Sequence, residues 1–130
     1  MSLLLDTNAL VWVSDTKRIK SLGKQAKRLI DNSDLVYFSA ISTAELQIKS
    51  MLGKFKKLPD IAEATSAGGL TMLDFSAEQA QAIANFPSLV RHDPFDRMIL
   101  AQAHSQQLTL LTSAPVLLEL NLDYVVDAQT

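Results

Sequence analysis

Two aspartates three residues apart open the stretch Arg91-His92-Asp93-Pro94-Phe95-Asp96-Arg97-Met98-Ile99-Leu100-Ala101-Gln102-Ala103. Proline is tolerated in the first turn of a helix and aspartate is favoured at the N-cap, so a helix begins at Pro94 with Asp93 capping it. Asp96 is then the third helical residue, near the positive end of the helix dipole. Ile99, Leu100 and Ala103 follow it by three, four and seven residues, spacings that share one helix face. Asp96 therefore faces inward at the end where the packing opens out. Taken alone, a capping Asp and a first-turn Asp are ordinary helix-start devices, each contributing about 1 kcal/mol. A chemical role requires that other carboxylates reach the same place.

Two do. Asp6 ends Leu3-Leu4-Leu5, a short apolar run that reads as a strand buried on both faces. Glu45 lies three residues beyond Ser42, the spacing of a capping box, soon after a second apolar run, Leu35-Val36-Tyr37-Phe38. Ile41, Ile48 and Leu52 share Glu45's helix face, which turns that acid inward as well.

The remaining chain supplies the elements that must position these groups. A helix over Asn8 to Val13 follows the first strand, with the lone Trp12 as a core or interface anchor. Ser21 to Ile30 carries Leu22, Ala26, Leu29 and Ile30 at helical spacing. Gly53 ends the Glu45 helix, and a Lys54–Lys57 loop leads past Pro59 into a helix ending near Gly68-Gly69. Leu70 to Phe75 reads as a third strand, and Ser76-Ala77-Glu78-Gln79 as a helix start whose box closes on a neutral Gln. Phe86 to Leu89 reads as a loop. Leu108 to Thr112 reads as a fourth strand, a short helix follows from Pro115 through Leu120, and Tyr124-Val125-Val126 reads as a fifth strand. Strands alternating with helices imply a single α/β domain over residues 1–130: three α/β/α layers around a central parallel sheet of four or five strands.

Composition narrows the class. The chain has 130 residues, 48% of them hydrophobic, which suits one domain with one core. No apolar run reaches bilayer-spanning length, and the start lacks the basic region of a signal peptide, so a cytoplasmic protein is expected. The absence of cysteine excludes disulfides and thiolate-held metal. The net charge is −2, yet ten of the twelve Lys and Arg residues fall between Lys17 and Lys57. The clusters Lys17 to Arg28 and Lys54-Phe55-Lys56-Lys57 are either solvated faces or a track for a phosphate backbone.

In an open α/β sheet, ligands bind beyond the carboxyl ends of the strands. Asp6, Glu45 and Asp96 are all expected at that rim. Like charges about 4 Å apart repel by ~4 kcal/mol at an effective dielectric of 20. A hard divalent cation, Mg²⁺ or Mn²⁺, resolves the conflict, because it prefers carboxylate and water oxygens and leaves positions open for phosphate. Metal-dependent phosphodiester hydrolysis is the chemistry such a constellation suits.

The pieces Leu3-Leu4-Leu5-Asp6-Thr7-Asn8, Ser42-Thr43-Ala44-Glu45, His92 through Ala103 and Leu108-Thr109-Leu110-Leu111-Thr112 resemble, in order and spacing, PIN-domain ribonucleases, most closely the VapC toxins of bacterial toxin–antitoxin pairs. The resemblance covers nearly the whole chain. It implies a metal site at Asp6 and Asp96, with Glu45 completing the ligand set or ordering its water. It also implies an RNA substrate cleaved by a metal-bound water, a VapB-like antitoxin, homodimerisation, and contact with DNA only through the antitoxin.

One position departs from the family pattern. Another Asp commonly stands two residues past the threonine that ends strand four, and here that residue is Ala114. Asp93, or Thr112 and Ser113 through water, are the groups at hand to substitute for it, and Asn8 is a further candidate site residue. Arg97 either contacts RNA phosphate or pairs with a nearby acid, and His92 reads as an exposed loop histidine. Two readings follow: a Mg²⁺-dependent endoribonuclease toxin, or a weakened PIN module that binds antitoxin or RNA without cleaving it. A phosphatase using Asp6 as nucleophile wants a second acid two residues on, where this chain has Asn8.

Overall fold

A computed structural model describes residues 1–54, 60, 63 and 67–130. Strand β1 (Leu3–Leu5) is followed at once by α1 (Thr7–Ser14), then α2 (Lys24–Asn32), β2 (Val36–Ser39) and α3 (Ala40–Met51). Beyond the undescribed residues come β3 (Thr71–Leu73), α4 (Ala77–Gln81), α5 (Pro94–Gln106), β4 (Thr109–Thr112), α6 (Pro115–Leu118) and β5 (Val125–Asp127). The five strands form one sheet in the order β3-β2-β1-β4-β5, and every pairing is parallel. The chain leaves β1 toward β2 and later returns on its other side as β4. That reversal of direction opens a crevice beside β1, where α/β sheets take their ligands.

Because side chains alternate along a strand, the Leu3-Leu4-Leu5 run feeds two cores. Leu3 and Leu5 pack with Phe38, Leu111, Leu10 of α1 and Ala26 of α2. Leu4 packs on the opposite face with Leu110, with Ile99, Leu100 and Ala103 of α5, and with Leu117 of α6. Helices thus cover both faces of a five-stranded parallel sheet in three layers, as expected. Burying a leucine side chain contributes roughly 1.5–3 kcal/mol, which explains why this leucine triplet holds the centre of the sheet.

Several local readings change. The α3 cap is Ser39, not Ser42: β2 runs straight into the helix, and the Ser39 hydroxyl accepts from the Ile41 N–H at 3.0 Å. Glu45 therefore sits in the second turn rather than closing a capping box. The inward residues of α3 are Ser42, Glu45 and Leu46, while Ile48 and Leu52 are exposed. Helix α1 begins at Thr7, and α2 begins only at Lys24, after a 3₁₀ turn over Ile19–Ser21. Strand β3 is shorter than expected, β5 begins one residue later, and Pro87–Leu89 forms a 3₁₀ turn rather than an irregular loop. Gly53, at φ +74°, lies just past the end of α3 as expected. The Ser76–Gln79 capping box is present with both of its hydrogen bonds. Most of the Lys54–Lys57 loop and of the helix expected before Gly68-Gly69 lies outside the described residues.

The late start of α2 has a long-range cause. The Gly23 N–H donates to the Ala128 carbonyl at 3.0 Å and the Gln25 N–H to the Thr130 carbonyl at 2.8 Å. The end of the chain thereby supplies acceptors to the first turn of α2. A Cβ on Gly23 would lie 2.0 Å from the Thr130 carbonyl carbon, so this approach requires glycine. Gly23→Ala should cost about 1–3 kcal/mol in urea unfolding through this overpacking, with an undiminished unfolding midpoint as the contrary result.

Candidate functional site

Asp6 occupies the junction of β1 and α1 and serves as the α1 N-cap. Its Oδ1 accepts from the Ala9 N–H at 2.8 Å. Its Oδ2 accepts from the Thr112 hydroxyl at 2.7 Å and from the Ser113 N–H at 3.2 Å. The Thr112 Oγ1 in turn accepts from the Ala114 N–H at 3.0 Å, so the end of β4 is tied to the end of β1 across the crevice. The carboxylate is buried, and burial raises its pKa above the usual aspartate value, with a smaller contribution from the charge of Glu45. Its three hydrogen bonds work in the opposite direction.

Glu45, also buried, reaches the same edge from α3. Its Oε1 accepts from the Thr7 hydroxyl at 2.6 Å and its Oε2 from the Lys49 ammonium at 2.6 Å. The Thr7 hydroxyl also lies 2.9 Å from the Ser42 hydroxyl. Thr7 gives its single proton to the carboxylate, so Ser42 is the donor to Thr7. The inward-turned Ser42 thus has a structural partner other than the helix N-terminus.

Asp96 is the third residue of α5, with Pro94 first and Asp93 as N-cap, as the sequence indicates. Asp93 Oδ1 accepts from the Phe95 N–H at 2.8 Å and the Asp96 N–H at 3.4 Å. No hydrogen bond reaches the Asp96 carboxylate from any described residue. Half-buried and unpaired, it is pushed up to about 6, first by burial and then by the charges of Asp93, Asp6 and Glu45, with Lys49 offsetting part of the rise.

These groups border one cleft of about 480 Å³. Glu45, Lys49, Asp93 and Asp96 line one part of it, Asn8, Ser113 and Ala114 another, and Asp6 lies buried at the junction beside them. Asn8 Nδ2 donates to Ser113 Oγ at 3.3 Å. Arg97 points elsewhere. Its Nη1 donates to the Val90 carbonyl at 3.1 Å, and it makes no ion pair with an acid among the described residues. His92 is exposed, as expected.

The donors suit a hard divalent cation: all are oxygens, most are carboxylates, and one carboxylate stands half-buried with no proton donor. The structure brings the three acids to one rim but not to one point. Among the described residues, no three Asp, Glu or His side chains are placed to share an ion. On Glu45, both oxygens are already engaged. Thr7 and Lys49 are the site residues that sequence reading missed. Lys49 carried a signal, since Glu followed by Lys four residues later on a helix is a standard pairing; Thr7, beside Asp6, carried none.

A parallel three-layer sheet with carboxylates gathered beyond the carboxyl ends of its central strands defines the class of protein. The chain belongs to the PIN domain family, whose model matches residues 3–116. No curated protein matches it. Solved structures share its fold at low identity. One is VapBC2 from Rickettsia felis bound to a DNA fragment from its promoter, with a TM-score of 0.66 and 22% identity over 97% of this chain and 96% of that one. Another is VapBC-1 from nontypeable Haemophilus influenzae, with a TM-score of 0.64 and 19% identity over 100% of both chains. DNA-bound VapBC from Salmonella typhimurium gives 0.59 and 22% over 98% of both.

Because the Asp96 pKa is raised on folding, the folded chain binds a proton more tightly than the unfolded one between about pH 4 and the folded value near 6. Stability from this group is therefore present at low pH and lost as pH rises through that window. Without divalent cations, Asp96→Asn should melt higher than the wild type at pH 7, by ~1 kcal/mol after discounting for partial exposure, and the difference should close near pH 4. A constant difference across pH in thermal melts would contradict this account of Asp96.

Proposed function

We propose that this chain is a divalent-cation-dependent endoribonuclease, the toxin of a VapBC-type toxin–antitoxin pair, hydrolysing RNA phosphodiesters. The observation that carries the reading is the half-buried, unpaired Asp96 carboxylate beside Asp6 and Glu45 at the crevice of the sheet. Asp6 and Asp96 would hold Mg²⁺ or Mn²⁺, and Glu45, whose oxygens are engaged by Thr7 and Lys49, would complete the ligand set or order its water once Lys49 moves aside. When bound, such an ion lowers the pKa of water and neutralises charge on the phosphodiester. The chain's own groups do the remaining work. Thr112 and the Ser113 N–H fix the Asp6 carboxylate, Thr7 fixes Glu45, and Glu45 orients the attacking water. Asn8 and the Ser113 hydroxyl line the cleft where phosphate oxygens would lie.

RNA as substrate draws support from charge. Lys20, Lys24, Lys27 and Arg28 are exposed and form no ion pair among the described residues. On α2, residues three and four apart share a face, so Lys24, Lys27 and Arg28 form a stripe. That stripe begins at the rim: Gly23 bonds to Ala128, and the Ala128 N–H donates to the Thr112 carbonyl at 2.8 Å. A VapB-like antitoxin is supported by the VapBC structures that share the fold, and homodimerisation, DNA contact through the antitoxin and a cytoplasmic setting accompany that reading. No helix among the described residues is long and apolar enough to cross a membrane.

A second reading, binding without cleavage, is favoured by one observation: Ala114 lines the cleft where the family pattern has a carboxylate. Incubation of single-stranded RNA with Mg²⁺ or Mn²⁺ decides between the two. Cleavage that stops on chelation and falls by at least about 100-fold in Asp6→Asn supports the nuclease; Thr112→Val, which removes a hydrogen bond to Asp6, should cost about 10–100-fold. A silent wild type that gains activity in Ala114→Asp supports the weakened module instead.

The α2 stripe makes a separate prediction. In RNA binding measured against salt, Lys24→Gln with Lys27→Gln should flatten the slope of log affinity on log salt by about 0.7 per lost phosphate contact. An unaltered slope removes α2 from the RNA path.

A further inference from the structure

The cleft poses a charge problem that its carboxylates alone leave unsolved. Glu45, Asp93 and Asp96 line it, Asp6 lies beside them, and an RNA phosphate would add a further negative charge. Lys49 is the one cation among the described residues that line this cleft. Its ammonium lies 2.6 Å from Glu45 Oε2, and its side chain is 42% exposed while that of Glu45 is 6% exposed. The fixed partner is therefore the glutamate, and the mobile one is the lysine, held on a flexible four-carbon stem. Asp93 and Asp96 line the same cleft, so the ammonium faces further negative charge beyond its partner. The ammonium is thus a monovalent charge drawn to the acids that a divalent cation would need.

Lys49 and such a cation compete for one oxygen. Oε1 of Glu45 is committed to Thr7, which leaves Oε2, and Oε2 carries Lys49. With a divalent cation held at this rim, the ammonium would face twice its own charge and would leave Oε2. Lys49 would then stay tethered one helical turn from Glu45, in the same cleft, with its positive charge unpaired. Resting on the reading of this cleft as a cation-dependent phosphodiester site, we propose that Lys49 is a tethered counter-ion that holds Glu45 when no divalent cation is bound, surrenders Oε2 to the incoming cation, and passes its own charge to an RNA phosphate. An ordinary helix-surface ion pair would do none of the last two.

The two halves of the exchange predict shifts of opposite sign, which a merely structural role would not produce. Lys49→Gln keeps a donor for Glu45 and removes the charge. In calorimetric titration of the metal-free protein, this variant should bind Mn²⁺ about three- to five-fold more tightly than the wild type. A short dye-labelled single-stranded RNA, titrated by anisotropy with Ca²⁺ present, should bind it about two- to five-fold more weakly, while Lys49→Arg stays near the wild type. Equal Mn²⁺ affinity in wild type and variant, or a loss of both affinities together, overturns the exchange and leaves the nuclease reading standing. No Mn²⁺ binding by either protein overturns both. A measurement on the unaltered chain covers the case in which the variant fails to fold. Acylation of Lys49 by an amine-reactive ester, read by peptide mass spectrometry, should speed up with Mg²⁺ and slow again when RNA is added. A rate indifferent to Mg²⁺ overturns the proposal.

Discussion

Carboxylates that meet at the carboxyl edge of a parallel sheet repel one another, and much of the local structure is organised around the ways this chain offsets that repulsion. At an effective dielectric of 20, two such groups about 4 Å apart oppose folding by ~4 kcal/mol. Each acid has a different answer. Asp6 is surrounded by neutral donors from α1 and from the end of β4. Glu45 takes one hydroxyl and one ammonium. Asp93 is exposed and is satisfied by backbone N–H groups of α5. Asp96 has none of these, and burial first, then the charges of Asp93, Asp6 and Glu45, raise its pKa. A site left partly unsatisfied within an otherwise well-packed core is where function is expected to have overridden stability.

Topology explains why the acids meet at all. With β1 between β2 and β4, the chain crosses from one half of the sheet to the other beside Asp6. The same parallel sense that buries Leu3, Leu4 and Leu5 between two helical layers sends every strand's carboxyl end to one edge. Helices α1 and α3 follow their strands immediately, so their first turns, carrying Thr7 and Ser42, arrive at that edge together. Core and cleft are therefore products of one arrangement: the apolar triplet fixes the sheet, and the sheet fixes where the charges fall.

What was legible in the sequence follows the range of the interactions involved. Asp93-Pro94 and the Ser76–Gln79 box declare helix starts through bonds that span three residues or fewer, and both are found as read. The alternation of apolar runs with helical patterns was enough for the three-layer parallel sheet. Ser42 misled because Ser39 and Ser42 are equally good caps locally. The choice between them is made by Thr7, 35 residues away, which draws the Ser42 hydroxyl inward. The start of α2 was misread for a related reason: it is set by the backbone at Ala128 and Thr130, beyond any local pattern. Asp6 and Asp96 are brought to the cleft as their strand-end and first-turn positions indicate, whereas Glu45 turns inward beside Ser42 and Leu46 and not with Ile48 and Leu52, which are exposed. Thr7 was missed because a lone hydroxyl beside an aspartate gives no such indication.

Ala114 leaves its part of the rim without a charged side chain while the turn around it is held by other groups. It stands at the N-cap of α6 and offers that helix no side-chain acceptor. Asp or Ser would be favoured there by about 1 kcal/mol. The turn is nevertheless held, because Thr112 Oγ1 accepts the Ala114 N–H while donating to Asp6. The hydroxyl that orients Asp6 thereby also shapes the turn from β4 into α6, so that turn does not depend on a carboxylate at 114. Removing one negative charge from this part of the rim leaves less repulsion acting on Asp6 and Asp96. It also leaves fewer anionic oxygens for cations.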